Sequence, residues 1–347
     1  MSDPPRTSSH KASASSDLFA SVNEPLALVE HAIREQFESR ADLVEILGEH
    51  VFGAGGKRLR PALLLLCAEL CGYKGPRRVH LGAAIEMLHT ATLLHDDVVD
   101  VSSLRRGRPS ANAIWGNRRA VLAGDFFYAR ASSMVVEDGN PAILASFANT
   151  IRAMSEGELL QLEHSFDADV TEADYYRVIE RKSASLLSTA CEVGAVLGGV
   201  TRSEIHGVAE YGRQLGLAFQ LRDDALDYEQ GEDALGKRRY ADLCEGKVTM
   251  PLLLTLKRAD SAERTRVAQF VKTLVLRSDG EAPDSEADVV EREAVVALVA
   301  RCRGVQDTDA KARVHAQRAI HAIEAFPDGE AHRALCQAAR FAVDRQL

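Results

Sequence analysis

The sequence has no apolar run approaching the roughly 18 residues of a membrane-crossing helix. Its start, MSDPPRTSSHKASASSD, has no apolar stretch of the kind a secretory leader carries. Neither insertion nor secretion is expected. Basic charge is not in excess either: 42 lysines and arginines stand against 51 aspartates and glutamates, a formal charge of −9. Broad electrostatic binding to nucleic acid or anionic lipid needs the opposite sign, so neither is an expected partner. No two cysteines have CxxC spacing; the six are scattered, and only Cys67 and Cys71 lie close together, four apart on an expected helix. That pattern fits inert core thiols in a reducing cytoplasm, not a zinc or disulfide framework. Alternating strand-like runs bounded by turn residues are also scarce.

What the chain does have is apolar residues recurring at three and four spacings from Leu18 almost to the end, with 46% of residues hydrophobic and 27% charged. This is the balance of a globular protein with a sizeable core, and the periodicity predicts an all-α fold. Residues 1–17 are rich in Ser and Pro, without periodicity, and read as a disordered tail ahead of one helical domain over 18–347. Helix breaks are expected at GAGGKRLRP (53–61), CGYKGPRR (71–78), RRGRPS (105–110), EDGNP (137–141), LGGVTRSE (197–204) and GEDALGKRRYADLCEGK (231–247). The acidic segment RSDGEAPDSEADVVERE (277–293) reads as an exposed loop.

One pattern occurs twice: DDVVD at 96–100 and DDALD at 223–227. On a helix, residues four apart share a face, so Asp96 and Asp100 project together with Asp97 turned about 100° away; Asp223, Asp224 and Asp227 repeat the arrangement. Like charges so placed repel, and leaving them unpaired among apolar neighbours costs several kcal/mol each. Multivalent cations between the two clusters resolve the conflict. Mg²⁺ is the natural candidate, since it is commonly held by a few carboxylates plus the phosphate oxygens of a ligand. Cationic residues suited to a phosphate surround the motifs: Lys57, Arg58 and Arg60 in GGKRLRP, Arg105 and Arg106 in LRRGRP, and the single lysines Lys182, Lys237 and Lys247. GAGGK is not a Walker A loop, for it lacks the spacing and a preceding strand. His89 lies two helical turns before Asp96 on the same face, placed to donate to a phosphate oxygen, whereas His95 points elsewhere and reads as structural.

Taken in order, GGKRLRP, HTATLLHDDVVD, LRRGRPSAN, VLAGDFFYARA, FQLRDDALDY, LGK and EGKVTMPL resemble the trans-polyprenyl diphosphate synthase family. The wording around the first motif is most similar to that of the long-chain octaprenyl to decaprenyl synthases that make quinone side chains. The resemblance implies a single-domain isoprenoid synthase fold, helices around a central cavity, usually a homodimer. It implies an allylic diphosphate held through Mg²⁺, up to three ions, by Asp96, Asp100 and Asp223, with Asp224 or Asp227 nearby. Arg105, Lys182, Gln220 and Lys237 match positions that hold that diphosphate, and isopentenyl diphosphate falls to Lys57, Arg60, His89 and Arg106. Asp97 joins the expected catalytic set, and Ser183 and Lys247 the substrate-binding one. Two departures stand out. Ser183 replaces the family's usual Thr, and Arg222 introduces a cation beside Asp223 that bears on its pKa and its metal affinity.

If a product grows along the helix carrying DDVVD, the side chains one to three turns before Asp96 form a floor. Ala91 and Thr92 are small where short-chain relatives tend to carry an aromatic plug; Met87 and Leu88 come one turn deeper and are not aromatic walls. A long product follows, with a geranylgeranyl-length product as the alternative. A terpene cyclase would not need the additional basic loop GGKRLRP, and a non-catalytic subunit of a heteromeric synthase should lack some of these aspartates or cations, none of which is missing.

Overall fold

The computed structural model describes residues 19–53, 55–56, 58–105, 107–229, 240–278 and 286–345. The expected tail, Lys57, Arg106 and Lys237 lie outside the described residues. Helices run Asn23–Glu35 (α1), Asp42–Gly53 (α2), Leu59–Leu70 (α3), Arg77–Val99 (α4), Ala111–Trp115 (α5), Asn117–Asp138 (α6), Pro141–His164 (α7), Glu172–Ile179 (α8), Ser185–Gly198 (α9), Arg202–Glu229 (α10), Ala241–Cys244 (α11), Met250–Arg258 (α12), Ser261–Ser278 (α13), Glu286–Arg301 (α14), Gly304–Ala322 (α15) and Glu330–Asp344 (α16). Among the described residues the only sheet is a hairpin of two short strands, Leu104–Arg105 (β1) and Arg108–Pro109 (β2), turned by Gly107 at φ +73°. The fold is therefore all-α, as the periodicity predicts. No helix among the described residues is long and apolar enough to cross a membrane.

Punctuation in the sequence sets the helix ends. In EDGNP, Gly139 takes the left-handed conformation that closes α6, and the Asn140 side chain accepts from the Ala142 and Ile143 amides to open α7 with Pro141 in its first turn. Thr171 and Asp174 form a capping box at the start of α8. The reading of 277–293 as a loop is corrected in part. Residues 279–285 lie outside the described set, but α14 begins at Glu286, whose first turn holds Glu286 and Asp288, favourable charges at the positive end of a helix.

The apolar stripes meet in two buried clusters. One joins α1, α3, α4, α6, α7, α9 and α16, with Leu63, Leu64, Leu65 and Leu66 of α3 wholly buried; the other joins the latter half of α10 to α12, α13 and α15. Each large apolar side chain so buried contributes about 1.5–3 kcal/mol. α4 packs extensively on α6, and α9 lies against both α3 and α10, so α4, α6, α7, α9 and α10 are held as staves around a cavity of about 650 Å³.

Candidate active site

The first aspartate motif occupies the last turn of α4, where the backbone carbonyls already present a partial negative charge, and the second lies in the last described turns of α10. Such placement raises the demand for cations. At the first motif, Asp96 faces the central cavity. Burial pushes its carboxyl up to about 6; Glu158 and Asp100 push the same way, while Lys182 and Arg105 oppose them. Asp97 turns aside, as its 100° offset requires. Arg105 donates to it through Nε and Nη2, each at 2.7 Å, and its backbone carbonyl accepts from the Ser102 amide and the Asn112 side chain. Asp97 thereby anchors the hairpin that carries Arg105 to the cavity wall. Asp100 lies 3.4 Å from the Lys247 Nζ. Burial works against that ammonium, but Glu245, Asp100 and Asp242 outweigh it and hold the pKa above the ordinary lysine range.

At the second motif, Asp223 faces the central cavity and accepts a hydrogen bond from the Arg345 guanidinium, which stacks over the Phe219 ring 3.7 Å from its centroid. Arg222, suspected from sequence of crowding Asp223, points the other way: it donates to Glu229 and Asp309 and to the Arg345 carbonyl. Asp224 is buried and accepts from the Tyr175 hydroxyl at 2.6 Å and the Gln220 amide at 2.8 Å. Burial nevertheless raises its pKa, and Asp223 and Asp227 add to the shift. Asp227 accepts from the amides of Ala241 and Asp242, capping the short helix α11.

Between the motifs lies a π-helical turn, Glu180–Ala184, a rare element that often marks a functional site. Two glycines admit it: a Cβ at position 157 would lie 2.6 Å from the Lys182 amide nitrogen, and one at 216 would lie 2.6 Å from the Ala184 Cα. Clasped there, Lys182 and Ser183 line both the central cavity and a smaller one of about 170 Å³ shared with Gln220, Asp224, Asp242 and Lys247. Lys182 pairs with Glu158, whose other oxygen is buried without a hydrogen-bond partner; Ser183 donates to the Gln220 carbonyl at 2.7 Å. Lys182, Ser183, Gln220 and Asp223 are thus brought to one mouth with Asp96 and Arg105.

A third cavity, about 340 Å³, adjoins the central one; Arg60, His89 and Phe219 line both, and Arg58 and Arg345 line the third alone. Arg58, in the left-handed region at φ +44°, spends its guanidinium on Glu86, Glu30 and the Phe52 carbonyl. It shapes this wall, leaving Arg60 and His89 nearest the shared boundary. The central cavity has apolar lining as well: Leu88, Ala91, Ile151, Met154 and Leu186 face it, with Thr92 and with His95, Asp125 and Tyr128. Met87 is packed wholly in the core and is not among the lining residues.

No three His, Cys, Asp or Glu side chains converge into a ready-made metal cage among the described residues. Instead Asp96 and Asp223 come from separate elements to one cavity, and the acidic wall includes an orphaned oxygen of Glu158. Such a donor set fits Mg²⁺ bound partly through a ligand's phosphates. Glu158, Tyr175, Asp242 and Arg345 complete the site and carry no motif that sequence reasoning would single out; their only signal is burial and distance in three dimensions.

The Polyprenyl synthetase family profile matches residues 41–280. Octaprenyl diphosphate synthase of Escherichia coli (strain K12) is 39% identical over 322 residues, 93% of this chain and 96% of that protein. The all-trans-nonaprenyl-diphosphate synthase (geranyl-diphosphate specific) of Rhodobacter capsulatus is 37% identical, covering 95% and 97%. Among solved structures, a polyprenyl synthase from Caulobacter crescentus CB15, complexed with calcium and isoprenyl diphosphate, superposes with a TM-score of 0.87 at 38% identity, covering 99% of this chain and all of that one. With the motifs, the fold and the relatives in agreement along almost its whole length, the chain belongs to the Polyprenyl synthetase family and is a prenyltransferase.

Proposed function

We propose that residues 18–347 act as one unit that condenses isopentenyl diphosphate with an allylic diphosphate such as farnesyl diphosphate. The product is a long-chain all-trans polyprenyl diphosphate, of octaprenyl class, for quinone side chains. The observation that carries this reading is the mixed lining of the central cavity, where Asp96, Asp223, Lys182 and Gln220 share one space with Ala91, Ile151, Met154 and Leu186. The charged side chains suit a diphosphate and the apolar ones its hydrocarbon. Octaprenyl length takes its support from the E. coli octaprenyl relative.

In this reading Asp96, Asp100 and Asp223, with Asp224 or Asp227 nearby, hold up to three Mg²⁺ ions together with the allylic diphosphate. The ions would supply Lewis-acid neutralisation of the leaving diphosphate. Lys182 exchanges Glu158 for a diphosphate oxygen, and Arg105, kept in register by Asp97, adds a second positive charge. Gln220, with its carbonyl oriented by Ser183, fixes the diphosphate's position. Arg60 and His89 hold isopentenyl diphosphate in the adjoining cavity, so that its double bond faces the allylic carbon; the sequence resemblance assigns Lys57 and Arg106 to the same substrate. Proximity and electrostatics then account for the rate without a side-chain nucleophile. The apolar walls exclude water from the carbon that turns cationic as its C–O bond to diphosphate breaks. The isopentenyl double bond attacks that carbon, and the proton then lost passes to the released diphosphate, restoring an alkene.

A homodimer suits the chain. α6 and α7 expose Leu122 (63%), Val136 (60%), Leu159 (61%) and Leu162 (50%), more apolar surface than a solitary helix pair ordinarily leaves in water. All six cysteines are free, which supports a reducing cytoplasm. The test is incubation of purified protein with farnesyl diphosphate, labelled isopentenyl diphosphate and Mg²⁺, then separation of products by length. Octaprenyl-class products are expected; a geranylgeranyl-length product overturns the long-chain claim, and no elongation overturns the synthase reading in favour of a non-catalytic subunit.

A further inference from the structure

We propose that Tyr175 is a positioning residue for the second aspartate motif and sets how tightly that wall takes a divalent cation. This rests on the metal-site reading above. Tyr175 comes from α8, outside both motifs, and is 5% exposed. Its hydroxyl donates to Asp224 Oδ2 at 2.6 Å, while the Gln220 amide donates to Oδ1 at 2.8 Å and Ser183 holds the Gln220 carbonyl at 2.7 Å. The carboxylate is thus fixed in one rotamer at the wall of the smaller cavity, facing Lys182 and Lys247.

The donor's charge matters as much as its position. Arg105 and Arg345 also hold motif carboxylates, but a guanidinium repels an incoming cation and must be displaced or tolerated. A phenol and an amide orient the carboxylate and leave its charge for the metal, which is how outer-shell partners raise the affinity of a site. The lever is stiff. Tyr175 packs edge-on to Tyr176, with ring centroids 5.8 Å apart, and α8 is fastened at its start by the capping box and by Lys257 and Lys311 on Glu172. Loss of the hydroxyl alone would leave a buried carboxylate oxygen free to rotate away.

Tyr175→Phe tests this, because it keeps the ring and removes only the donor. Mn²⁺ is titrated into wild-type and variant protein in the presence of inorganic diphosphate, with free Mn²⁺ read by electron paramagnetic resonance. The variant should bind Mn²⁺ about tenfold more weakly. The KM for isopentenyl diphosphate should not change, and the variant should show the wild-type helical circular dichroism. Tyr175→Leu, which removes the ring as well, should weaken Mn²⁺ binding no further than Tyr175→Phe although it melts lower. Superimposable wild-type and Tyr175→Phe titrations overturn the role of Tyr175 alone. A wild-type protein that binds no Mn²⁺ with diphosphate overturns the metal reading and this inference with it.

Discussion

At the end of α4 the middle carboxylate of the motif, Asp97, is taken by a guanidinium; at the end of α10 its counterpart, Asp224, is taken by a phenol and an amide. The last carboxylates differ as well. Asp100 meets the ammonium of Lys247, whereas Asp227 accepts from the backbone of the segment that follows. Only the first carboxylates, Asp96 and Asp223, match in facing the central cavity. One spelling therefore serves two environments: the first wall sets cations on Asp97 and Asp100, whereas the second gives Asp224 and Asp227 neutral donors and keeps its one guanidinium, from Arg345, for Asp223. The helix period fixes which aspartate faces inward, and residues distant in sequence decide what becomes of the others.

Five substitutions and one change of pH probe the two walls. The largest effect is expected where they are alike: Asp96→Ala and Asp223→Ala should each lower turnover by roughly 10³-fold or more, with helical circular dichroism unchanged. Normal activity in either removes that residue from the metal site. Next, α4 presents Ala91 to the cavity where α10 presents Phe219. Ala91→Phe should cut product length to farnesyl or geranylgeranyl size on chromatographic separation, and an unchanged length would move the floor off α4.

A smaller effect distinguishes the structural aspartates. Asp97→Asn and Asp227→Asn should each lower unfolding free energy by about 1–3 kcal/mol in urea melts, since each weakens bonds made by a carboxylate. Asp97→Asn should also raise the KM for the allylic substrate, through Arg105, more than Asp227→Asn does. The smallest effect is on pH. With the Asp96 pKa raised to about 6 in the metal-free protein, the folded chain keeps a proton that the unfolded chain has lost above about pH 4. This group's contribution to stability is therefore fully present below about pH 4 and is lost as pH rises through about 6. Mg²⁺ needs the ionised form, so its gain in melting temperature with inorganic diphosphate should be larger at pH 8 than at pH 5.5. An equal gain at both would contradict the placement of Asp96. Carboxylates held below their usual range, such as Asp138 bonded by Arg77, change stability in the opposite sense and at lower pH.

The helical fold was legible because apolar spacing survives without tertiary knowledge, and EDGNP ended one helix and began the next by local rules alone. The carboxylate pair was legible because two motifs repeat at helical spacing. Arg345 was not, lying 122 residues from Asp223 with no pattern linking them. Arg222 misled for the opposite reason: its neighbour in sequence is Asp223, but one residue along a helix points about 100° away, and its partners are Glu229 and Asp309. Tyr175 reads as one apolar-face residue of a short amphipathic helix until its hydroxyl is seen against Asp224. The acidic stretch before α14 hid a helix start, because charge that suits a loop also suits a helix's first turn.

The central claim is that Asp96 and Asp223 close on one shared metal–diphosphate site while Asp97 serves the hairpin. Crystals grown with Mn²⁺ and inorganic diphosphate, measured at an X-ray energy where manganese scatters anomalously, test it most directly. The account predicts anomalous peaks in the central cavity within bonding distance of Asp96 and Asp223, with Arg105 still on Asp97. Peaks bonded to Asp97, or confined to one motif with the other carboxylate unligated, would contradict it.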